Sequence, residues 1–288
     1  MRIFARAEYD GTNFAGWQIQ PHAISVQEEL QRAISQIVGQ KVEIVGAGRT
    51  DAGVHAKNQG FHFNIDDNTV GAGSARPSVR PDIYAAFTHL GGQTPPLQIT
   101  NFDKFAYKIN SVLPPTIAVF DMQKVADDFH ARFSATERIY HYHISLKKNP
   151  LSFNNSVFFG YKMDLQKMES ELKSIIGTHS FESFCSSNNQ LDHFRCTVNS
   201  AEIVKIDEYS FYIKIAANRF LYNMVRSIVG TLVDISRGKL NITMSEILAQ
   251  KNRKFAGTTA PAKGLVLEDV RYDAAVDNKL PQNTQKAK

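Results

Sequence analysis

The sequence of 288 residues predicts an α+β protein made of two similar halves that meet near residue 135. Stretches in which apolar and polar residues alternate predict strands, and stretches with apolar residues three and four apart predict helices. The order of these elements starts again after residue 135, and neighbouring strands are close enough in sequence to form antiparallel hairpins. We therefore predict an N-terminal half over residues 1–135, a C-terminal half over 136–272 and a polar, disordered tail over 273–288.

The N-terminal half is predicted to contain two helices and four strands. Ser25 and Glu28 have the spacing of a capping box, and the apolar residues that follow lie on one helical face as far as Ile37. A second helix is predicted over residues 100–113 from the same periodicity. The predicted strands are residues 2–9, 42–45, 60–64 and 116–122.

The C-terminal half begins with the clearest strand pattern in the chain. Residues 138–146 alternate, so that Tyr140 and Tyr142 share one face of a strand. A helix is then predicted to begin at Asp164. The other predicted elements are a hairpin over 197–206 and 211–217, a long helix over 219–236, a short helix capped by Thr243 and Glu246, and a closing strand over 265–272.

One segment, residues 66–99, follows neither pattern. It is rich in Gly, Pro, Ser and Thr and contains Arg76-Pro77 and Arg80-Pro81. Loops of this length are usually functional or mobile, so one interpretation is an arm that contacts a partner or a second subunit. The alternative is a tolerated surface insertion, because lengthening a loop costs little free energy.

Composition narrows the class of protein without naming an activity. A hydrophobic content of 43% is normal for a folded soluble protein, and no apolar run is long enough to span a membrane. The first residues lack the pattern of a signal peptide, and only two cysteines occur, so we expect a cytoplasmic protein without disulfides. The net charge of +5 is compatible with a nucleic-acid partner but is weak evidence for one.

The most informative segment is the glycine-rich stretch over residues 46–56, predicted to connect two strands. It carries a carboxylate, Asp51, two residues after a guanidinium, Arg49, between glycines that let the backbone approach a ligand. Such a loop can be a reaction centre or an ordinary turn. A nucleotide-binding loop is disfavoured, because those motifs open a helix and no helical period follows here.

The segment Gly48-Arg49-Thr50-Asp51-Ala52-Gly53-Val54-His55 resembles the signature of the TruA-type tRNA pseudouridine synthases. Further similarities occur in the family's order from about residue 8 to residue 272. One departure is Asn199, where the family usually has an arginine, and it puts an RNA contact there in doubt. The other similar segments are Tyr9–Thr12, Gly16–Gln18, Val26-Gln27, Asn110–Pro114, Phe129–Ala135, Tyr140 with Tyr142, Met224–Gly230 and Pro261–Leu265.

This resemblance implies both an architecture and an activity. It implies two ferredoxin-like (RRM-like) halves with mainly antiparallel sheets around a central basic cleft. It also implies a homodimer in the cytoplasm that isomerises uridine to pseudouridine at positions 38–40 in the anticodon stem-loop of tRNA. The reaction has no redox or phosphoryl-transfer step, so we expect no cofactor and no metal.

The resemblance also implies the roles of five residues. Asp51 corresponds to the family's catalytic aspartate, Arg226 to its ion-pair partner, and Tyr140 to the active-site tyrosine. Leu265 corresponds to an apolar residue against the base, and Arg49 lies inside the signature as a substrate-binding residue. An arginine beside Asp51 would favour the ionised carboxylate.

Each of these residues also has a structural interpretation. Arg226 lies among apolar positions of its predicted helix, so it needs an acidic partner or must extend to solvent. Sheet packing accounts for Tyr142 and is an alternative for Tyr140, as core packing is for Leu265. The cations Lys57, Arg132 and Arg138 are candidates for phosphate contacts, with solvated surface charge as the alternative. His141 and His143 share a strand face but lack a suitably spaced third metal ligand.

Two other functions remain compatible with parts of the sequence. A noncatalytic RNA-binding protein is disfavoured by the joint presence of Asp51, Tyr140 and Arg226. A glycosidase-like hydrolase would need a second acid/base carboxylate, and no motif supplies one.

Overall fold

The computed structural model describes residues 1–65, residue 99, residues 101–186 and residues 193–277. The predicted insertion over 66–99 therefore lies outside the described residues except for Ile99, as does the tail beyond residue 277. The strands are β1 (Arg2–Tyr9), β2 (Ile44–Gly46), β3 (His55–Asn64), β4 (Ile117–Lys124), β5 (Glu137–Ser145), β6 (Val157–Phe158), β7 (Gly177–Ser180), β8 (Arg195–Lys205), β9 (Ser210–Ala217) and β10 (Leu265–Arg271). The α-helices are α1 (Val26–Val38), α2 (Phe102–Asn110), α3 (Leu165–Lys173), α4 (Met224–Ser236), α5 (Met244–Gln250) and α6 (Ala274–Asp277).

These ten strands form one mainly antiparallel sheet, which confirms the α+β class. Eight of them run in the order β4-β1-β3-β10-β5-β9-β8-β7, with β2 paired to β3 and β6 paired to β5. The last strand, β10, lies in the middle of this order. It runs parallel to β3 and antiparallel to β5, with Leu267 opposite Ala56 on one side and Tyr140 on the other. The two predicted halves therefore share a continuous sheet.

Two hydrophobic cores lie along this sheet. One contains residues of β1, β3, β4, α1 and α2, and the other contains residues of β5, β8, β9, α3, α4 and α5. Tyr140, in β5, packs against both cores. The strand that carries Tyr140 therefore lies where the two cores meet.

Helix starts follow the capping chemistry expected from the sequence. Thr243 and Glu246 form a complete capping box at α5, with each side chain bonded to the other residue's backbone. At α1 the Ser25 side chain accepts from the Glu28 amide, which is half of the predicted box. Asp164 caps α3 through the Lys167 amide. The predicted helix over 100–113 is shorter than expected, because α2 ends at Asn110.

The long helix begins five residues later than predicted, at Met224 instead of residue 219. Asn223 precedes it with φ of 60°, a left-handed conformation that Asn adopts more readily than most residues and that interrupts the helical path. Tyr222 lies outside the helix and is 56% exposed, so its inclusion in the predicted helix over 219–236 was wrong. The late start places Arg226 in the first turn of α4.

The polar positions of α4 are buried and hold the segment that follows α5. Thr231 accepts from the Gly257 amide at 2.9 Å, and Asp234 accepts from the Thr258 amide at 3.0 Å. Gly230 permits this contact, because a β-carbon there would lie 1.8 Å from the Thr258 carbonyl oxygen. These two polar side chains therefore hold Gly257 and Thr258 against the second half of α4.

Part of the predicted disordered tail is structured. Residues 274–277 form α6, and the Asp277 carboxylate accepts from the Arg6 guanidinium at 3.0 Å and from the Tyr272 amide at 2.9 Å. Arg6 is buried and also pairs with Asp269 of β10 at 3.2 Å. A buried cation needs carboxylate partners, and this one ties the end of the described chain to β1. No helix among the described residues has the length and apolar character needed to cross a membrane.

Candidate active site

The connection between β2 and β3, residues 47–54, carries Asp51 and is called the Asp51 loop below. Its backbone is fixed against the segment that follows β1. The Trp17 amide donates to the Thr50 carbonyl at 3.0 Å, and the Gly53 amide donates to the Phe14 carbonyl at 3.3 Å. These bonds hold the residues on both sides of Asp51.

Close packing between these two segments requires glycine at particular positions. Gly16 has φ of 98°, and a β-carbon there would lie 2.5 Å from the Thr50 carbonyl oxygen. A β-carbon at Gly11 would lie 1.9 Å from the Val54 carbonyl oxygen. Gly48, inside the Asp51 loop, has no neighbour within 4 Å of the corresponding position. The glycines outside the loop therefore set its path, whereas Gly48 faces open space.

The ion pair expected from the resemblance is present. Arg226 Nη1 donates to Asp51 Oδ2 at 3.1 Å, although the two residues are 175 positions apart in sequence. The side chains are 18% and 21% exposed, respectively, so Arg226 does not extend into bulk solvent. The sheet and α4 together bring an acid from one predicted half to a base from the other.

Two further acceptors orient the Arg226 guanidinium. Its Nε donates to the Ala260 carbonyl at 2.8 Å, and its Nη1 also donates to Asn223 Oδ1 at 2.8 Å. The Ala260 amide in turn donates to the Arg226 carbonyl at 3.0 Å. The segment after α5, which the buried polar side chains of α4 hold in place, therefore positions the partner of Asp51.

Burial and the ion pair act in opposite directions on the Asp51 carboxyl. Burial raises its pKa, the charge and hydrogen bond of Arg226 lower it, and burial has the larger effect. The net pKa of Asp51 is therefore above its ordinary value. The expectation that Arg226 favours the ionised form is confirmed in direction, but the arginine does not offset the whole cost of burial.

Tyr140 lies on β5 within electrostatic range of this pair. Its ring meets the Phe220 ring edge-on, with the centroids 5.0 Å apart. Burial raises the pKa of the Tyr140 hydroxyl, and the negative charge of Asp51 raises it further. The hydroxyl therefore remains protonated at neutral pH and is available as a proton donor.

Leu265 and Tyr142 face each other across β10 and β5, and both are buried in the core. The Tyr142 hydroxyl donates to the Pro261 carbonyl at 2.8 Å. Tyr142 therefore has the packing role expected of it. For Leu265 the structure shows core packing at the first position of β10.

The basic residues near the site differ in their surroundings. Arg49 is exposed on the Asp51 loop, and Arg132 is exposed before β5. Lys57 instead pairs with Glu268 at 3.0 Å. Arg138 donates to the backbone carbonyls of four residues and is therefore a structural link as well as a cation; the four are Ala47, Arg132, Ala135 and Asn218.

Three other residues named by the sequence have local partners. Asn199 donates to the Glu137 carboxylate at 2.6 Å. His141 lies 3.4 Å from the Glu268 carboxylate and stacks on Tyr212, with the ring centroids 4.3 Å apart. His143 also lies beside Tyr212, at a centroid distance of 5.5 Å. Within the described ranges, no group of three or more His, Cys, Asp or Glu residues is arranged to hold a metal ion.

Sequence reasoning missed two residues that organise the site, Asn223 and Ala260, which hold Arg226. It named Arg138 only as a candidate for a phosphate contact, whereas Arg138 also connects the Asp51 loop to the strand that carries Tyr140. A polar residue directly before an apolar helix was a signal for Asn223, but the helix was predicted to include it. Ala260 acts through its backbone, which leaves no mark on side-chain patterns.

Comparison with known proteins shows which family of proteins this chain resembles. A family model described as tRNA pseudouridine synthase matches residues 5–89 and 172–273. The tRNA pseudouridine synthase A of Bacteroides fragilis is 37% identical over 272 residues, which cover 94% of this chain and 96% of that protein. The corresponding protein of Anoxybacillus flavithermus is 37% identical over 275 residues, covering 94% and 99%. That of Clostridium acetobutylicum is 36% identical over 268 residues, covering 92% and 97%.

Proposed function

Because the chain belongs to the tRNA pseudouridine synthase family, whose members isomerise uridine to pseudouridine, we propose that it modifies uridines 38–40 in the anticodon stem-loop of tRNA. The observation that carries this proposal is the ion pair between Asp51 and Arg226. It unites two segments that the resemblance assigns to the reaction.

The chemistry of the isomerisation suits a site with a single carboxylate. The bond between N1 of uracil and C1′ of ribose breaks, the base turns, and a bond forms between C5 and C1′. The proton lost from C5 is balanced by the proton gained at N1, so no atom is added or removed overall. The reaction consumes no oxidant, reductant or nucleotide, and we propose that it needs no cofactor.

We assign Asp51 as the catalytic residue. Its carboxylate can attack C1′ of the sugar, attack the base, or remove a sugar proton, and each route requires the ionised form. Arg226 opposes the effect of burial on the Asp51 pKa and holds the carboxylate in one orientation. Both effects support a nucleophile or base rather than a general acid.

Tyr140, Leu265 and Arg49 are assigned to the substrate. The Tyr140 ring can stack on the flipped uracil, and its protonated hydroxyl can donate a proton to N1, to be replaced by the proton that leaves C5. Leu265, at the start of β10, provides apolar contact to the base. Arg49 is exposed two residues before Asp51 and can bind an RNA phosphate or base.

The family also supplies an architecture for the complex. We propose that residues 1–135 and 136–272 act as two ferredoxin-like halves around a basic cleft, and that the cleft receives the anticodon stem-loop. The proposed assembly is a homodimer in the cytoplasm. Two cores meeting at the strand of Tyr140 support a site between the halves.

The test is to react the purified protein with tRNA labelled in its uridines and to identify the labelled product. The proposal predicts pseudouridine in the anticodon stem-loop without added metal or nucleotide. Bound but unchanged RNA would indicate a noncatalytic RNA-binding protein. Free uracil would indicate a hydrolase, and either of these outcomes would contradict the proposal.

A further inference from the structure

Phe133 is an exposed aromatic residue in the connection between β4 and β5. Its side chain is 76% exposed, while the neighbouring Ala131 is buried. One side of the ring lies against His130, with the centroids 4.3 Å apart and the planes tilted by 35°. The Arg132 guanidinium carbon lies 5.7 Å from the centroid of the Phe133 ring. A large apolar ring is thus presented to solvent beside an imidazole and a cation.

The backbone around Phe133 is held at many points. The Ala131 amide donates to His62 Nδ1 at 3.1 Å, and the Tyr272 hydroxyl donates to the Ala131 carbonyl at 3.0 Å. The Ser134 amide donates to the His130 carbonyl at 2.8 Å, and the His130 amide donates to Ser134 Oγ at 3.0 Å. The exposed ring therefore projects from a fixed loop, which lowers the entropy cost of binding through it.

One guanidinium connects this loop to the Asp51 loop. Arg138 Nη2 donates to the Arg132 carbonyl and to the Ala47 carbonyl, the latter at 3.2 Å. The same nitrogen binds both carbonyl oxygens. Arg132, which precedes Phe133, therefore lies close to Ala47, the first residue of the Asp51 loop. Arg138 also shares the face of β5 with Tyr140, because the two are separated by one residue. Phe133 is thus presented at the edge of the candidate active site.

This edge carries several arginines for which the described part of the chain shows no carboxylate within ion-pair distance. Arg138 itself binds only backbone carbonyls among the described residues, and Arg132 and Arg219 lie close enough to lower its pKa, after the larger effect of burial. Arg49 adds a fourth exposed or partly exposed cation on the neighbouring loop. An exposed aromatic ring with a guanidinium beside it, at a surface that carries further arginines, is an arrangement that can bind unstacked nucleotides.

We propose that Phe133 is a stacking platform for an unpaired base of the substrate RNA, next to the uridine held by the site. The proposal rests on the proposed function, because it takes the RNA to be the tRNA substrate. Arg132 and Arg219 bind the phosphates that flank the stacked base. Arg138 is a positioning residue that sets the distance between the platform and the Asp51 loop.

The first experiment compares Phe133→Ala, Phe133→Trp and Tyr107→Ala with the original protein. Tyr107 is a matched control, because it is also 76% exposed but lies on α2 in the helical layer. Loss of a base–aromatic stack is expected to weaken binding of an anticodon stem-loop RNA about tenfold for Phe133→Ala. Phe133→Trp keeps an aromatic ring and should retain binding, and Tyr107→Ala should bind RNA as tightly as the original protein does. Thermal unfolding of each variant checks that the fold is intact.

A second measurement identifies the stacked base. Stem-loop RNAs with a single abasic nucleotide at each loop position are bound to the original protein and to Phe133→Ala. At the position whose base stacks on Phe133, the two changes should be non-additive, so that the abasic RNA binds both proteins equally. At the other positions Phe133→Ala should retain its tenfold effect.

Several results would overturn the inference. Binding by Phe133→Ala within twofold of the original, or additive effects at every abasic position, would remove the stacking role. A fall in the molecular mass of Phe133→Ala would instead assign the residue to a contact between subunits. Pseudouridine formation by the original protein, measured in parallel, distinguishes these results from failure of the proposed function. Absence of both binding and isomerisation by the original would overturn the inference and the function together.

Discussion

Arg226 Nη1 and Asp51 Oδ2 lie 3.1 Å apart, and the arginine is in turn fixed by Asn223 and the Ala260 carbonyl. The carboxylate itself lies on a loop whose backbone is bonded to the segment after β1. Both members of the pair are therefore positioned by groups that do not take part in it. This relationship supports the following predictions.

Replacing Arg226 with methionine should lower turnover and shift its pH dependence. The variant loses both the charge and the hydrogen bond through which Arg226 lowers the Asp51 pKa, so that pKa should rise further. Because the ionised carboxylate is the active form, the acid limb of the rate profile should move to higher pH. Loss of one oriented donor also predicts a fall in kcat on the order of 10²-fold. Rate profiles of both proteins test this, and an unchanged acid limb would contradict the role of Arg226.

Replacing Asp51 with asparagine should increase stability at neutral pH. The pKa of Asp51 is higher in the folded chain than in the unfolded chain, so ionisation of this group destabilises the folded state. The difference in unfolding free energy between the variant and the original should be largest above the pKa of Asp51 in the folded protein. It should disappear as the pH falls below the ordinary pKa of an aspartate. Urea unfolding of both proteins from neutral to acidic pH measures this difference. A variant less stable than the original at neutral pH would show that the ion pair outweighs burial.

Replacing Tyr140 with phenylalanine should separate the ring from the hydroxyl. The ring contact with Phe220 and any stacking on uracil are retained, so RNA affinity should stay within a few fold. Loss of a proton donor should lower turnover by about 10²-fold or more. Tyr140→Leu is the matched variant and should weaken binding as well. Normal turnover by Tyr140→Phe would restrict Tyr140 to stacking.

Substitutions at Asn223 should separate backbone conformation from hydrogen bonding. Asn223 has φ of 60° and accepts from Arg226. Asn223→Ala loses the acceptor and should destabilise the fold by about 1 kcal/mol, because alanine disfavours the left-handed region. Asn223→Gly loses the acceptor without that penalty. We expect both variants to have reduced kcat and only the alanine variant to have reduced stability; equal kcat in Asn223→Gly and the original would exclude a positioning role.

Two glycines near Asp51 should respond differently to alanine. Gly16→Ala forces a β-carbon toward the Thr50 carbonyl at positive φ, so it should cost about 1–2 kcal/mol from conformation alone and displace the Asp51 loop. Gly48→Ala meets no neighbour within 4 Å and should leave the unfolding temperature unchanged. Thermal unfolding of the two variants checks this, and equal stability would mean that the two segments can separate without cost.

The sequence predicted most elements of the fold but not how they combine. Alternation and helical periodicity depend on neighbouring residues, which is why strands such as β1 and β5 were placed within a residue of their observed bounds. The position of β10 between β3 and β5 depends on pairing with distant strands, which no local pattern encodes. The start of α4 was missed because Tyr222 and Leu221 continue the apolar period that Asn223 interrupts through its backbone.

In the candidate site too, local patterns predicted single residues but not the contacts between distant ones. Periodicity showed that Arg226 needed a partner, but only the family resemblance suggested Asp51, since their contact spans 175 positions. The acceptors of Arg226 and the four carbonyls bound by Arg138 are mostly backbone atoms, whose positions follow from the tertiary structure. Phe133 was noticed as part of a similar segment, but its exposure was not predictable from that segment.

The most direct test of the central claim is pseudouridine formation by Asp51→Asn on a tRNA transcript, measured beside the original protein and Asp207→Asn. Asp207 is a suitable control because it is an exposed aspartate in the turn between β8 and β9. The original and Asp207→Asn should form pseudouridine in the anticodon stem-loop. Asp51→Asn should form none while binding tRNA within a few fold of the original, because phosphate contacts dominate affinity. Near-normal isomerisation by Asp51→Asn would contradict the account.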